Sequence, residues 1–434
     1  MKSITPIVIV GGGAGGLELA AKLGRKHGAQ HVYLIDKETD HIWKPSLHEV
    51  AAGTLDIHRE GLSYFMLARD CNFTFILGAL TALDKTSQCI HIAPAYNEAG
   101  QQLFPARQIH YGTLVIAVGS KSNFFNTTGA EQYAITLDAT AQAEHFRLKL
   151  LHALTQTVHT DSEHTPPKPL HITIVGGGAT GVELAAELTE AVTSFHFYGA
   201  NTLTPERPLA ITLLEGADRI LAALPPELSA RATRLLQSRD IQVCTGVRVT
   251  EVQADQLLDA NGQRYASDLC VWAAGIQAPI FLSTLGLETN RINQLIVNER
   301  LETADPAIYA IGDCAQAPWV GAEGYLPARA QVAHQQASYL YKVLTARLNG
   351  QSDSAVFKYK DYGSLVSVGH TKGVGSLMGV LSGKSWFVEG LVARTMYMSL
   401  HLMHHAAVMG VMRTFSIVLG RLLLKRSAPR IKLH

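Results

Sequence analysis

The chain has 434 residues, enough for two or three domains with sizeable cores, and its 47% hydrophobic, 17% charged composition with 37 glycines excludes a disordered or fibrous protein. Net charge is +1, but the last 45 residues, 390–434, hold seven Lys or Arg and no acid, against 30 basic and 36 acidic residues before them. An acidic body with an apolar, basic tail points away from nucleic acid and toward an anionic membrane surface.

The N-terminal apolar run, Ile7–Val10, passes straight into glycines rather than into the h-region of a signal peptide, which predicts a cytoplasmic active face. Residues 7–23 (IVIVGGGAGGLELAAKL) match residues 172–188 (ITIVGGGATGVELAAEL) at 13 of 17 positions, an offset of 165. Two copies so far apart indicate two similar domains, since a solenoid would recur at a shorter period. Each copy reads as a β-branched strand, a glycine turn and a helix beginning near Ala14 or Ala179, the opening of a βαβ unit. The fold class expected is α/β, with two Rossmann-like units on parallel, doubly wound sheets.

In the first copy Gly11, Gly13 and Gly16 permit a tight turn, close approach of backbone to a pyrophosphate and close helix packing. Asp36, 20 residues after Gly16 at the end of the strand VYLID, stands where an acid binds ribose hydroxyls. Residues 114–119 (LVIAVG) and 271–275 (VWAAG) are apolar strands ending at Gly119 and Gly275, and the polar, Pro-rich residues 159–169 predict a surface connection between the units.

The second copy repeats the cradle with Gly176, Gly178 and Gly181. Glu215 closes the strand of residues 210–214 in the ribose-binding position, 34 residues after Gly181, the extra length fitting an insertion around residues 195–208. A glutamate there favours NADH, because it accepts from a 2′-hydroxyl and repels a 2′-phosphate. Glu183 follows Gly181 by two residues, facing the place where two bound dinucleotides should meet, but an acid in a first helical turn is also stabilised by the helix dipole alone, and Glu18 holds the same offset in the first copy.

Residues 303–313 (TADPAIYAIGD) end on Asp313, which caps a following helix or accepts hydrogen bonds from a ligand. Residues 330–335 (AQVAHQ) present Gln331, His334 and Gln335, whose amides and imidazole suit carbonyl oxygens or an exposed helix face. Residues 391–424 read as an amphipathic surface helix, with Arg394, His401 and His405 near one face. Arg413, Arg421 and the histidines interrupt it too often for a bilayer span, and Lys425, Arg426, Arg430 and Lys432 suit anionic headgroups. His401, His404 and His405 have no supporting carboxylate, so no metal is assigned. The five cysteines contain no C-x-x-C pair, which predicts a reducing compartment and an external acceptor for any electrons the protein receives.

Residues 303–313 resemble the second flavin signature of the two-dinucleotide-binding-domain flavoproteins, and residues 330–335 look like the quinone-site motif of the type II NADH dehydrogenases. Together with residues 7–23, 41–56 (HIWKPSLHEVAAGTLD), 172–188 and the closing 429–434 (PRIKLH), nearly the whole chain resembles the bacterial members of that family. The resemblance implies FAD bound by residues 1–120 and 295–350, NADH bound by an inserted domain of residues 121–294, and a membrane-associated C-terminal domain of residues 351–434. It implies hydride transfer from NADH to FAD, with nicotinamide C4 about 3 to 3.5 Å from flavin N5, then two electrons to a membrane quinone without proton pumping. Asp313 would bind the ribityl chain, Glu183 would sit beside the hydride-transfer stack, Gln331 and Gln335 with His334 would contact quinone, and Lys372 would lie near the flavin. A peripheral position on the cytoplasmic face of the inner (plasma) membrane and a homodimer through the C-terminal region follow from the same likeness. Two other readings share the glycine motifs: a soluble NADH-dependent reductase for a ferredoxin or monooxygenase partner, and a slow NADH-binding redox sensor.

Overall fold

The structure, a computed structural model, describes residues 5–97, 99–159, 168–197, 209–351, 354–367, 373–378 and 385–424. Two five-stranded parallel sheets organise it. The first runs Ile308–Ala310, Thr113–Ile116, Ile7–Val10, Val32–Asp36, Thr74–Leu77. The second runs Ala134–Thr136, Leu269–Trp272, Leu170–Val175, Leu209–Glu215, Gln242–Thr245. In both, the strand before the glycine turn is central and the strand order reverses beside it, so a crevice opens at its carboxyl end. All four residues of Ile7–Val10 are buried, which is why this strand is an unbroken apolar run rather than an alternating one.

The likeness of the two units extends beyond the fingerprints. Each inserts a three-stranded antiparallel sheet before its return strand: Leu80–Asp84, Cys89–Ile92 and Arg107–His110 in one, Val249–Val252, Gln256–Asp259 and Arg264–Ala266 in the other.

The helices that position the site are α1 (Ala14–His27), α2 (Leu47–Ala52), α3 (Tyr64–Cys71), α4 (Thr140–His159), α5 (Ala179–Phe197), α6 (Ala330–Leu348), α7 (Gly390–Met409) and α8 (Val411–Leu424). Helices α1 and α5 press onto their turns through Gly16 and Gly181, where an added Cβ would lie 1.9 Å from Gly11 O and 2.0 Å from Gly176 O.

The chain crosses between units on a two-stranded antiparallel ladder, Lys121–Ser122 against Ile276–Gln277, and not at residues 159–169 as expected, because Leu154 before that segment and Leu170 after it pack in the same second core. Packing changes hands there rather than at residue 295: Ala278, Leu282, Leu285 and Leu287 already belong to the core that holds Leu114 and Tyr309. Helix α2 does the reverse, since Leu47, Val50 and Ala51 pack in the second core with Phe146 of α4 and Leu184 of α5. An early segment thus braces the two units together.

Past residue 351, Phe357 and Tyr359 are buried in the first core before the antiparallel sheet Gly363–Ser367, Gly373–Met378, Ser385–Glu389. The single helix expected over residues 391–424 is two, α7 and α8, broken at Gly410, whose φ of 89° suits only glycine readily. His404 and His405, expected on the helix surface, are buried with Val408. Helical periodicity places residues on one face but does not say which face meets the body. Among the described residues, no helix is long and apolar enough to cross a membrane. Lys372, residues 160–167 of the connection, residues 198–208 of the insertion and the basic residues 425–434 lie outside the described residues, as does the side chain of Arg394.

Candidate cofactor and electron-transfer site

The two glycine turns are built alike. Gly11 and Gly176 have φ of 105° and 111°. The N–H of Gly12 donates to Asp36 Oδ2 at 2.6 Å, and the N–H of Gly177 donates to Glu215 Oε2 at 2.6 Å. Each acid also holds the chain just beyond it, Asp36 through the N–H of Glu38 at 2.9 Å and Glu215 through that of Ala217 at 2.8 Å. Glu215 therefore fills the place of Asp36 despite its greater distance along the chain. A Cβ added at Gly13 or Gly178 would meet nothing within 4 Å, so each turn leaves an open cradle beside the free N–H groups that begin α1, from Ala14, and α5. This is the space a pyrophosphate needs, and the residues present fit FAD in one cradle and NADH in the other. Burial raises the Asp36 carboxyl above its usual range, opposed by the hydrogen bonds from Glu38 and Gly12.

Facing the first cradle, Asp313 sits in a short 3-10 turn after Ile308–Ala310. Ser120 Oγ donates to Asp313 Oδ2 at 2.9 Å, and Lys44 Nζ donates to Ser120 O at 2.7 Å. The turn is held from below by Gln336 of α6, 1% exposed, whose Oε1 accepts from Gly312 N–H at 2.7 Å. Gly119 (φ 69°) ends the neighbouring strand with open space above its Cα, whereas a Cβ at Gly275 (φ 62°) would strike the Phe125 ring at 2.3 Å. The first leaves open space and the second is a packing requirement.

The run of residues 41–56 supplies the cradle's wall. Gly12 O accepts from Tyr64 Oη at 2.8 Å and from His41 Nδ1 at 2.9 Å, and His41 Nε2 lies 2.9 Å from His404 Nε2. A carbonyl only accepts, so the His41 proton is on Nδ1, and His404 must donate to its Nε2. Burial lowers His41 to about 4, keeping it neutral as this arrangement requires.

Glu183 is the fifth residue of α5, beyond the first turn, so the dipole account of an acid at a helix start does not describe it. It is buried. Its Oε1 accepts from Ser367 N–H at 3.0 Å, and its Oε2 lies 3.6 Å from His48 Nδ1 on α2. Burial pushes its carboxyl well above the ordinary range, the Ser367 bond opposes this, and the charges of Glu49 and Glu187 add to the rise. His48 is held down to about 4, again mainly by burial. Burial thus favours the protonated form of Glu183 and the neutral form of His48 where the two units and the Gly363–Ser367 strand meet.

The motif on α6 divides by face. Gln331 Oε1 accepts from the Tyr359 hydroxyl. Gln335 brackets Lys360, donating to its carbonyl at 2.8 Å and accepting from its N–H at 3.0 Å. His334 Nδ1 lies 2.5 Å from Oε2 of the fully buried Glu18 on α1, which Lys22 and Ser338 also bond. Gln336 lies just outside the motif, and its position among Val332, Ala333, Ala337 and Leu340 puts a buried amide on the apolar face, a sequence signal of a structural hydrogen bond. Lys44, Ser120 and His48 carried no comparable mark, since their partners are distant in the chain.

The family described as pyridine nucleotide-disulphide oxidoreductase matches residues 5–337. A type II NADH:quinone oxidoreductase of Haemophilus influenzae is 39% identical, covering 99% of this chain and 99% of that protein. The type II NADH:quinone oxidoreductase Ndh of Mycobacterium tuberculosis is 28% identical, covering 91% of this chain and 83% of its own. Among solved structures, NDH2 from Plasmodium falciparum in complex with NADH superposes with a TM-score of 0.81 at 20% identity, covering 99% of this chain and 100% of that one. The duplicated cradles, the flavin-type turn at Asp313 and full-length similarity agree: the chain belongs to the pyridine nucleotide-disulphide oxidoreductase family and, within it, to the type II NADH:quinone oxidoreductases.

Proposed function

We propose that the protein oxidises NADH and passes the two electrons to a membrane quinone while docked on the cytoplasmic face of the inner membrane. The observation that carries this reading is the pair of matched cradles, each at the carboxyl end of its own parallel sheet, in a chain 39% identical along its length to a named NADH:quinone oxidoreductase. FAD, when bound, supplies two-electron acceptance from NADH and one- or two-electron donation onward.

The chain's own residues bind, orient and exclude water. Gly11, Gly13, Gly16 and Asp36 hold the flavin's pyrophosphate and ribose, with Asp313 and Gly119 along its ribityl side. Gly176, Gly178, Gly181 and Glu215 hold NADH the same way, and Glu215 sets the preference for the unphosphorylated ribose. Glu183 and His48 form a dry wall beside the reacting rings, where burial favours the protonated carboxyl, which can donate a hydrogen bond without bringing charge there. Gln331, His334 and Gln335 lie near the quinone entry. Because their present partners are Tyr359, Glu18 and Lys360, they hold the entry in shape and contact quinone through whatever donors and acceptors those bonds leave.

The flavin unit is residues 1–120 with 278–350, moved forward from 295 by the packing of residues 278–287. The nicotinamide unit is 121–277, and 351–434 is the membrane-facing unit, rooted in the flavin unit's core by Phe357 and Tyr359. The test is NADH oxidation by the purified, detergent-solubilised protein with and without a short-chain quinone, followed with the flavin absorbance. Fast quinone-dependent turnover is expected. Bleaching of the flavin by NADH without reoxidation by quinone would refute the assignment and favour a protein acceptor.

A further inference from the structure

An exposed apolar patch is shared by the C-terminal helices and an earlier helix of the chain. On α8, Met412, Phe415 and Leu419 recur at three- and four-residue spacing on one solvent face, while Thr414 points inward. On α7, Met403 is exposed opposite the buried His404, His405 and Val408. Beside them, on α3 of the flavin unit, Phe65 and Met66 face solvent with Met66 67% exposed, although α3 lies more than three hundred residues earlier in the sequence.

Two contacts tie α3 to these helices, and a third ties α1 to them. Asp70, one turn beyond Met66, pairs with Arg413, the residue after Met412. Cys71 Sγ donates to Val408 O at 3.4 Å, and Arg25 of α1 bonds the same carbonyl. Met66 and Met412 are therefore held along one surface by the short Asp70–Arg413 pair. Arg69 on α3 is exposed, Arg413 and Asp70 neutralise each other, and the sequence from residue 390 onward has seven Lys or Arg and no acid.

From this we infer that α3 is part of the membrane-docking face, with Phe65 and Met66 inserting into an anionic bilayer beside α7 and α8. The inference rests on the proposed membrane reading and deepens it, because it places the flavin unit itself in contact with lipid. Apolar side chains at an interface take their binding energy from buried area, with anionic headgroups adding a salt-dependent part. A second copy of the chain is the competing occupant. The acid-free, basic sequence from residue 390 onward favours anionic phospholipid, since two copies meeting through these helices would bring like charges together.

The experiment uses the flavin-loaded full chain and sucrose-loaded vesicles of phosphatidylethanolamine and phosphatidylglycerol. F65S/M66S is expected to weaken vesicle binding about tenfold, F65L/M66L to restore it, and both to keep NADH oxidation by a soluble artificial acceptor. Independently, F65W should show tryptophan quenching by brominated lipid in excess of the wild type. Unchanged vesicle affinity of F65S/M66S, or absence of excess quenching, overturns the inference. So does a dimer that F65S/M66S converts to monomer by sedimentation with vesicle binding intact. Failure of the wild type to bind vesicles would instead refute the membrane reading on which the inference rests.

Discussion

Substituting Gly178 by valine separates binding from folding. The backbone there is not left-handed, and a Cβ meets no protein atom within 4 Å, so the folded chain accommodates the side chain at little cost. The methyl groups, however, reach about 2.5 Å from the Cα, into the volume where a phosphate oxygen would sit about 2.9 Å from a backbone nitrogen. If the pyrophosphate loses two hydrogen bonds involving charge, at roughly 1.5 to 3 kcal/mol each, the loss is about 3 to 6 kcal/mol. At about 1.4 kcal/mol per tenfold, the NADH concentration that half-bleaches the flavin should rise at least about a hundredfold. The assay is an anaerobic titration of flavin absorbance with NADH, with dithionite reduction as the control that flavin is present and reducible. Gly13→Val should give the converse phenotype, a folded chain purified without flavin. If Gly178→Val bleaches within about threefold of the wild-type NADH concentration, the second cradle is not the nicotinamide site.

Three further outcomes are expected. Gln336→Leu orphans the Gly312 N–H and should destabilise the protein by about 1 to 3 kcal/mol, read as flavin release at lower temperature in a fluorescence melt. Glu183 has a raised carboxyl pKa, so the folded state holds its proton more tightly than the unfolded chain, and its penalty grows as pH rises above the ordinary carboxylate range. Glu183→Gln should therefore gain melting temperature over the wild type at neutral and alkaline pH and match it near pH 4, and a constant difference at all pH values would refute the burial argument. His41 and His48, both lowered to about 4 by burial, contribute stability present above pH 6.5 and lost as pH falls toward 4, roughly 3 kcal/mol each when fully protonated. His48→Asn should flatten the acid limb of the pH–stability curve, measured by urea unfolding between pH 7 and pH 4.5.

The parts of the fold legible in the sequence are those fixed by backbone chemistry within a few residues. Gly16 and Gly181 had to be glycine because each touches the carbonyl of its own turn, and such requirements recur at fixed spacing whatever the rest of the chain does. The same locality made the strands before them readable as fully buried. Glu215 was readable from its strand end even with an irregular spacing, since what matters is the reach of its carboxylate to Gly177, not the count of residues between. Side chains whose partners are tertiary could not be read this way. The motif of residues 330–335 suggested three ligand-facing groups, whereas His334 meets Glu18, Gln335 meets Lys360, and the amide at the flavin-side turn belongs to the next residue, Gln336. His404 and His405 looked like surface residues because a pair of histidines on an apolar helix carries no sign of the buried His41 that meets it.

That meeting of His41 and His404 makes the C-terminal segment something other than a detachable tether. His404 donates to the imidazole that grips the carbonyl of Gly12, and Val408 fills the interior of the flavin unit beside Cys71. Cutting the chain at residue 390 would open a hole in that interior and strip His41 of its donor, so a shortened protein is expected to lose flavin as well as the proposed lipid contact. Changes at outward-facing positions such as Phe415 and Met66 leave the shared interior whole and so isolate the proposed lipid contact from flavin retention.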